Sequence, residues 1–172
     1  MIMIGSARHD ERNKYSGGAK GDQLQVDARD LKGEVSMQDF YLHNKGWYIL
    51  RAKDDFIGSE LAKAMRTACN NSNIGYSQSD RYDIIKKGIR TKQKANCDCS
   101  SLVRACVIAA TGGKDPGDFN TANEIQILTR TGLFYKPIKY TKDTELYNGD
   151  ILVTCSKGHT VIVCGHARKR KG

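Results

Sequence analysis

Two side chains with complementary chemistry stand in contexts that would bring them to a reacting group: Cys99 and His159. Cys99 follows Asp98 and opens the run Cys99-Ser100-Ser101-Leu102-Val103-Arg104-Ala105-Cys106-Val107. Leu102, Val103, Cys106, Val107 and Ala110 recur at helical spacing, and Cys99 falls on the same stripe three residues before Leu102. Asp98 suits a helix N-cap, because its carboxylate can accept the free N–H groups of the first turn. Cys99 is therefore expected at the first helical position, on the positive end of the helix, where a thiolate is favoured. The small pair Ser100-Ser101 leaves room for a substrate.

The histidine comes much later. Gly149-Asp150 reads as a turn and Ile151-Leu152-Val153 as a buried strand. Thr154 to Gly158 is a link of hairpin length, and His159-Thr160-Val161-Ile162-Val163-Cys164 is a second strand. Alternation puts His159, Val161 and Val163 on one face, expected to be the face that packs against the cysteine helix. An imidazole at a strand mouth, opposite a thiol on a helix N-terminus, is the general-base geometry of a Cys–His hydrolase.

The segments Asp98-Cys99-Ser100-Ser101-Leu102-Val103, Gly149-Asp150-Ile151-Leu152 and Gly158-His159-Thr160-Val161 resemble the NlpC-type and CHAP-type cell-wall hydrolases, which are papain-like cysteine enzymes. Gly5-Ser6-Ala7-Arg8, Gly21-Asp22-Gln23, Lys45-Gly46-Trp47 and Leu50-Arg51 are similar to segments of clostridial-type phage lysins. The resemblance implies a catalytic domain of a phage endolysin from a Gram-positive host. It implies Cys99 as nucleophile, His159 as general base and a peptidoglycan stem-peptide amide as substrate, with no cofactor and no metal. N-acetylmuramoyl-L-alanine amidases and γ-D-glutamyl endopeptidases share this constellation, so the bond cut stays open.

In the resembled families a polar residue one strand after the histidine orients the imidazole. Here the sequence ends at Gly172 without that strand, and His166 falls in a turn where it is expected to be exposed. The N-terminal segment is then the source of a third group, with Asp22, Gln23 and Glu34 as polar candidates and Asp22 preferred; a dyad with no third group is the other option. Asp98 reads as a helix cap. The backbone N–H of Cys99 is one expected oxyanion donor. A zinc site built from Cys97, Cys99, Cys106, Cys155, Cys164, His159 and His166 fits poorly, since no C-x₂-C pair is present.

The bulk numbers agree with a domain of this kind. The chain has 172 residues, 39% of them hydrophobic and 27% charged, enough to bury a core in one domain. A net charge of +9 and a pI near 9.3 call for an acidic partner. Lys and Arg are spread along the chain, which favours an anionic Gram-positive wall over nucleic acid. Met1 to Ile4 is too short for a signal peptide, and no stretch approaches a membrane span. The expected route is synthesis in the host cytoplasm and action on the wall after holin-dependent release, as a monomer that a wall-binding domain could follow. Cys69, Cys106 and Cys164 lie on apolar stripes and read as buried thiols of a reduced compartment.

The elements that must position the pair are read as follows. Residues 1–33 form an irregular arm, and Phe40-Tyr41-Leu42 with Trp47-Tyr48-Ile49-Leu50 form a hairpin. Asp54-Asp55 caps a helix from Phe56 to Cys69, buried through Ile57, Leu61, Met65 and Ala68. A short helix spans 81–89, the cysteine helix spans 99–111, Thr121 caps a helix over 122–130, and 134–140 is a strand. The expected fold is α+β, a papain-like core with helices on a small antiparallel sheet. Its parts are an N-terminal extension (1–53), a core (54–167) and a basic tail (168–172), in a single domain of 1–172. A different class of function, a non-enzymatic basic binding module with structural or zinc-bound thiols, is the alternative. A cysteine peptidase or deamidase acting on proteins is a closer one.

Overall fold

The computed structural model describes residues 1–23 and 33–169. In chain order the elements are β1 (Met3–Ala7), β2 (Val35–Asp39), β3 (Trp47–Leu50), α1 (Asp55–Cys69), β4 (Ile74–Tyr76), α2 (Asp83–Lys87), β5 (Ala95–Cys97), α3 (Cys99–Ala110), α4 (Glu124–Arg130), β6 (Ile138–Lys139), β7 (Ile151–Thr154) and β8 (Thr160–Gly165). Six strands make one antiparallel sheet in the order β2-β1-β8-β7-β3-β6, while β4 and β5 pair in parallel beside it. The architecture is α+β.

Alternation along the strands divides the core in two. Ala7, Leu50, Ile151, Val153, Ile162 and Cys164 face α1 and α3 and pack on Leu61, Met65, Leu102, Val103 and Cys106. Ile4, Trp47, Ile49, Leu152, Val161 and Val163 form a second cluster on the opposite face of the sheet. Asp54 caps α1 by accepting the N–H of Phe56 at 2.7 Å. The stripe Leu61, Met65 and Ala68 is buried as the spacing predicts.

Several expected elements take another form. The arm at 1–33 contains β1, which pairs with both β8 and β2; its portion at 24–32 lies outside the described residues. The predicted hairpin does not form: β2 pairs with β1, and β3 pairs with β7 and β6. Tyr41 and Leu42 lie in the loop between these strands, exposed. The helix at 81–89 shrinks to Asp83–Lys87, and the strand at 134–140 shrinks to Ile138–Lys139. Thr121 does not cap α4, whose N-cap position is Asn123. Arg168, expected in a tail, is tied into the fold by a bridge to Tyr147 and an ion pair with Glu145 at 2.8 Å.

The turn before β7 fixes how closely α1 approaches the sheet. Gly149 has φ +96, and a Cβ there would strike the Gly58 carbonyl in α1. Its N–H donates to Val163 O at 2.7 Å. Gly149→Ala should therefore cost more than about 3 kcal/mol, combining left-handed strain with a backbone clash. Gly112→Ala is the control: φ is +69 but nothing lies within 4 Å of the added Cβ, so about 1 kcal/mol is expected. Urea denaturation of both variants checks the difference, and equal losses would contradict this packing.

Candidate active site

The N-terminus of α3 is fixed before Cys99 is placed. Asp98 Oδ1 accepts the Ser101 N–H at 2.9 Å, and Ser101 Oγ accepts the Asp98 N–H at 2.9 Å, a reciprocal capping box. Arg81 braces the same carboxylate, its Nε donating to Asp98 Oδ2 at 2.7 Å. The rest of the guanidinium donates to Ser100 Oγ (2.8 Å), Phe119 O (2.7 Å) and Asp118 Oδ1 (2.8 Å). One arginine thus ties the helix start to the loop before α4. Asp98 is a structural cap, as its position suggested.

Cys99 is the first residue of α3 and is partly exposed. Backbone N–H groups of Thr160 and Ser100 bear on its sulfur and favour the thiolate. Burial outweighs them, and the charges of Asp98 and Glu124 add to it, so the thiol is pushed up to about 12. The expectation that the helix end would favour a resting thiolate is thus corrected. Desolvation, with the Asp98 carboxylate and an ionised Glu124 adding to it, exceeds what the two N–H groups supply.

His159 lies at the mouth of β8, and Gly158 before it lines the same cleft as Cys99, which His159 itself does not line. Its backbone is locked to Thr154, whose hydroxyl accepts the His159 N–H at 3.0 Å. The expected face is corrected. Val161 and Val163 belong to the cluster away from α3, and the residues facing the helices are Ile162 and Cys164. By the same alternation His159 stands on the Trp47 side, where the two ring centroids are 6.5 Å apart. Burial holds its pKa down to about 4, with the charges of His43 and Arg8 acting the same way. At neutral pH the imidazole is uncharged and can accept a proton.

The three polar candidates from the N-terminal segment are assembled elsewhere, with each other. Asp22 Oδ1 accepts the Glu34 N–H at 2.9 Å. Glu34 accepts from Gln23 N–H at 2.6 Å and from Tyr76 N–H at 3.1 Å. They anchor the arm to β4, and Asp22 is not among the groups whose charge bears on the imidazole. The neighbour that β1 does bring is Arg8: continuing the pairing Ile4↔Val163, Gly5↔Ile162 sets it opposite His159. Arg8 also donates to Ser36 Oγ at 2.8 Å and Gln38 Oε1 at 3.1 Å on β2. His166 is exposed, at φ 57.

A cleft of about 660 Å³ opens beside the sulfur, lined by Cys99, Ser100, Gln78, Arg81, Tyr82, Asp118, Asn120, Asn123, Lys157 and Gly158 among others. Gly158 N–H donates to Thr121 Oγ1 at 3.0 Å, holding the histidine loop against the segment before α4. The wall is polar, rich in amide and hydroxyl groups suited to a peptide backbone. Against known proteins, the chain matches the family model of the endolysin-like domain over residues 4–170. It belongs to the endolysin-like domain family. No curated protein and no solved structure matches it. An endolysin-type domain belongs to lytic enzymes whose substrate is peptidoglycan.

Sequence reasoning missed several parts of this endolysin-like domain. Arg81 opens the short helix expected over 81–89, and no local pattern ties it to Asp98. Tyr41, near enough to Cys99 to feel its charge, lies in a loop and not in the expected hairpin strand. Glu124 lies in the helix expected over 122–130 with nothing in the sequence to single it out, yet it is fully buried and, among the described residues, neither carboxyl oxygen makes a close hydrogen bond. Thr160 lies beside it but donates its hydroxyl proton to Leu152 O at 3.0 Å. Among the described residues no group of three His, Cys, Asp or Glu side chains could hold a metal ion, and all six cysteines are free thiols. No helix among those residues is long and apolar enough to cross a membrane.

The buried acids make the endolysin-like domain sensitive to pH. Burial raises Glu34 to about 7 and Glu124 to about 8, from 4.5 in the unfolded chain. Above pH 4.5 the folded state keeps protons the unfolded state has released, so stability falls as pH rises, by about 1.4 kcal/mol per pH unit for each such proton. His159 acts oppositely between about 4 and 6.5, where only the unfolded chain binds its proton. The expected profile is a shallow fall up to pH 6.5, a steeper one just above it, and a further fall above about 8, where thiols that burial keeps protonated in the fold ionise in the unfolded chain. Urea denaturation midpoints between pH 5 and 9 test this, and stability that rose from 6.5 to 8 would refute it.

Proposed function

We propose that this endolysin-like domain is a cysteine-dependent amidohydrolase that cuts an amide bond of the peptidoglycan stem peptide. The observation that carries the reading is the setting of Cys99. It opens α3 on the edge of a polar cleft that Gly158, the residue before His159, also lines.

In the resting pair both groups are neutral, which sets the order of events. The substrate amide enters the cleft beside the sulfur. His159 takes the thiol proton as Cys99 attacks the carbonyl carbon, forming the C–S bond and a tetrahedral oxyanion. The Cys99 backbone N–H at the helix start is one donor for that oxyanion. His159 then gives its proton to the leaving nitrogen, the C–N bond breaks, and an amine departs. Water, deprotonated by His159, attacks the thioester and restores the thiol and a free carboxylate. His159 suits both roles because burial keeps it uncharged between steps. The ring of Trp47 and the hydroxyl of Thr154, next to one another on β3 and β7, hold the histidine in place.

Cys99→Ala and Cys99→Ser should fold normally and lose lysis of purified Gram-positive cell walls by at least about 100-fold, and His159→Gln by about 100-fold or more. Turbidity loss, with mass spectrometry of the released muropeptides, reads the result. A folded Cys99→Ala that clears walls at the wild-type rate would end this proposal. Release of new amino groups confirms amide cleavage, whereas release of reducing sugars would mark a glycosidase instead.

A further inference from the structure

The site contains a buried acid that the mechanism above does not use. Glu124 opens α4 with no surface exposed, and among the described residues its carboxyl meets only the Thr160 hydroxyl, without a close hydrogen bond. Such a group is expensive to bury as an ion and is retained as a neutral acid. Its surroundings explain why its charge would matter. The groups it acts on electrostatically are Asp98 and Cys99 at the start of α3, and the Thr160 hydroxyl of β8 lies beside it. Asp98 is already negative and is neutralised by Arg81 at 2.7 Å; Glu124 has no cation of its own in that role.

We propose that Glu124 is a positioning residue that governs the Cys99 thiol. While its carboxyl carries a proton the sulfur can ionise, and when that proton leaves, the new charge holds the sulfur protonated. The inference rests on the reading of Cys99 as nucleophile. The physical reason is low local polarisability: two charges close together in a desolvated site repel far more than at the surface. Glu124 and the thiolate are therefore alternatives. One proton lost to water from Glu124 makes the next one, from Cys99, harder to remove. The same charge would oppose the oxyanion that forms beside the sulfur. Burial places the ionisation of Glu124 near pH 8, so the enzyme would turn itself down in mildly alkaline solution.

The test is the rate of Cys99 alkylation by iodoacetamide in the intact protein, followed by mass spectrometry of the Cys99 peptide, for wild type and Glu124→Gln at about pH 6.5 and about pH 9. Cys155 and Cys69 in the same digest serve as internal references. The expected result is a mutant-to-wild-type rate ratio at least about 10-fold larger at the higher pH than at the lower, which corresponds to one pH unit of thiol ionisation. An unchanged ratio overturns the proposal. Should Glu124→Gln fail to fold, a ¹³C NMR titration of the Glu124 carboxyl in wild type decides: a midpoint near 8 supports it and a midpoint below about 6 overturns it. The readout does not depend on which bond is cut. Lysis that proceeds without Cys99 would remove the proposed function and leave the ratio intact, whereas Cys99-dependent lysis with a flat ratio would remove this inference alone.

Discussion

The site depends on the contact between Arg81 and Asp98. Asp98 must satisfy the first turn of α3, and its second oxygen is held by Arg81 Nε at 2.7 Å, with both side chains mostly buried. A buried ion pair of this kind adds little net stability, because two desolvation costs offset the attraction. What it adds is geometry. The guanidinium has its donors on Asp98, Ser100, Asp118 and the Phe119 carbonyl, so the helix start and the loop that walls the cleft cannot move independently. Tyr82 lies under the same guanidinium, 5.1 Å from its carbon to the ring centroid, and donates its hydroxyl to Asp118. Cys99 takes its position from this frame.

The frame has an electrostatic consequence. The carboxylate that caps the helix stands next to the thiol and raises it, working against the helix end it completes. Burial raises the thiol further and lowers the imidazole. Both effects favour the uncharged form, of the thiol and of the imidazole alike. On the proposed mechanism the charge separation is then made only when substrate arrives. A neutral resting pair is also less prone to oxidation than a standing thiolate, which suits a protein with six free cysteines.

Parts of this were legible in the sequence because they are local. The cap Asp98, the apolar stripe of α3 and the runs of β7 and β8 each declare themselves within a dozen residues. So does the stripe of α1. The rest depends on pairing between distant segments. Met3–Ala7 carries no alternation strong enough to mark a central strand, yet it slots between β8 and β2 and brings Arg8 to the histidine. The face taken by His159 follows from which side of the sheet α1 and α3 cover, and no periodicity in β8 alone can report that. Arg81 and Glu124 were invisible for the same reason: a charge pattern on a short helix looks alike whether its partner is water or a buried carboxylate.

The fold also separates the chain's excess positive charge from the cleft beside Cys99. Of the charged residues that line the cleft, Arg81 is neutralised by Asp98 and Asp118, and Lys157 is the remaining cation. Arg104 is likewise matched, by Asp115 at 2.7 Å. The net +9 of the chain must therefore be carried by the rest of the surface, not by the wall of this cleft. On the proposed function this division is useful. An anionic wall would be attracted to the body of the domain at long range, with the salt sensitivity that implies. A neutral, amide-lined groove would then choose among peptide bonds by shape and hydrogen bonding. A cationic groove would instead hold the carboxylate product it had just made, so balancing Arg81 so completely favours release as well as order.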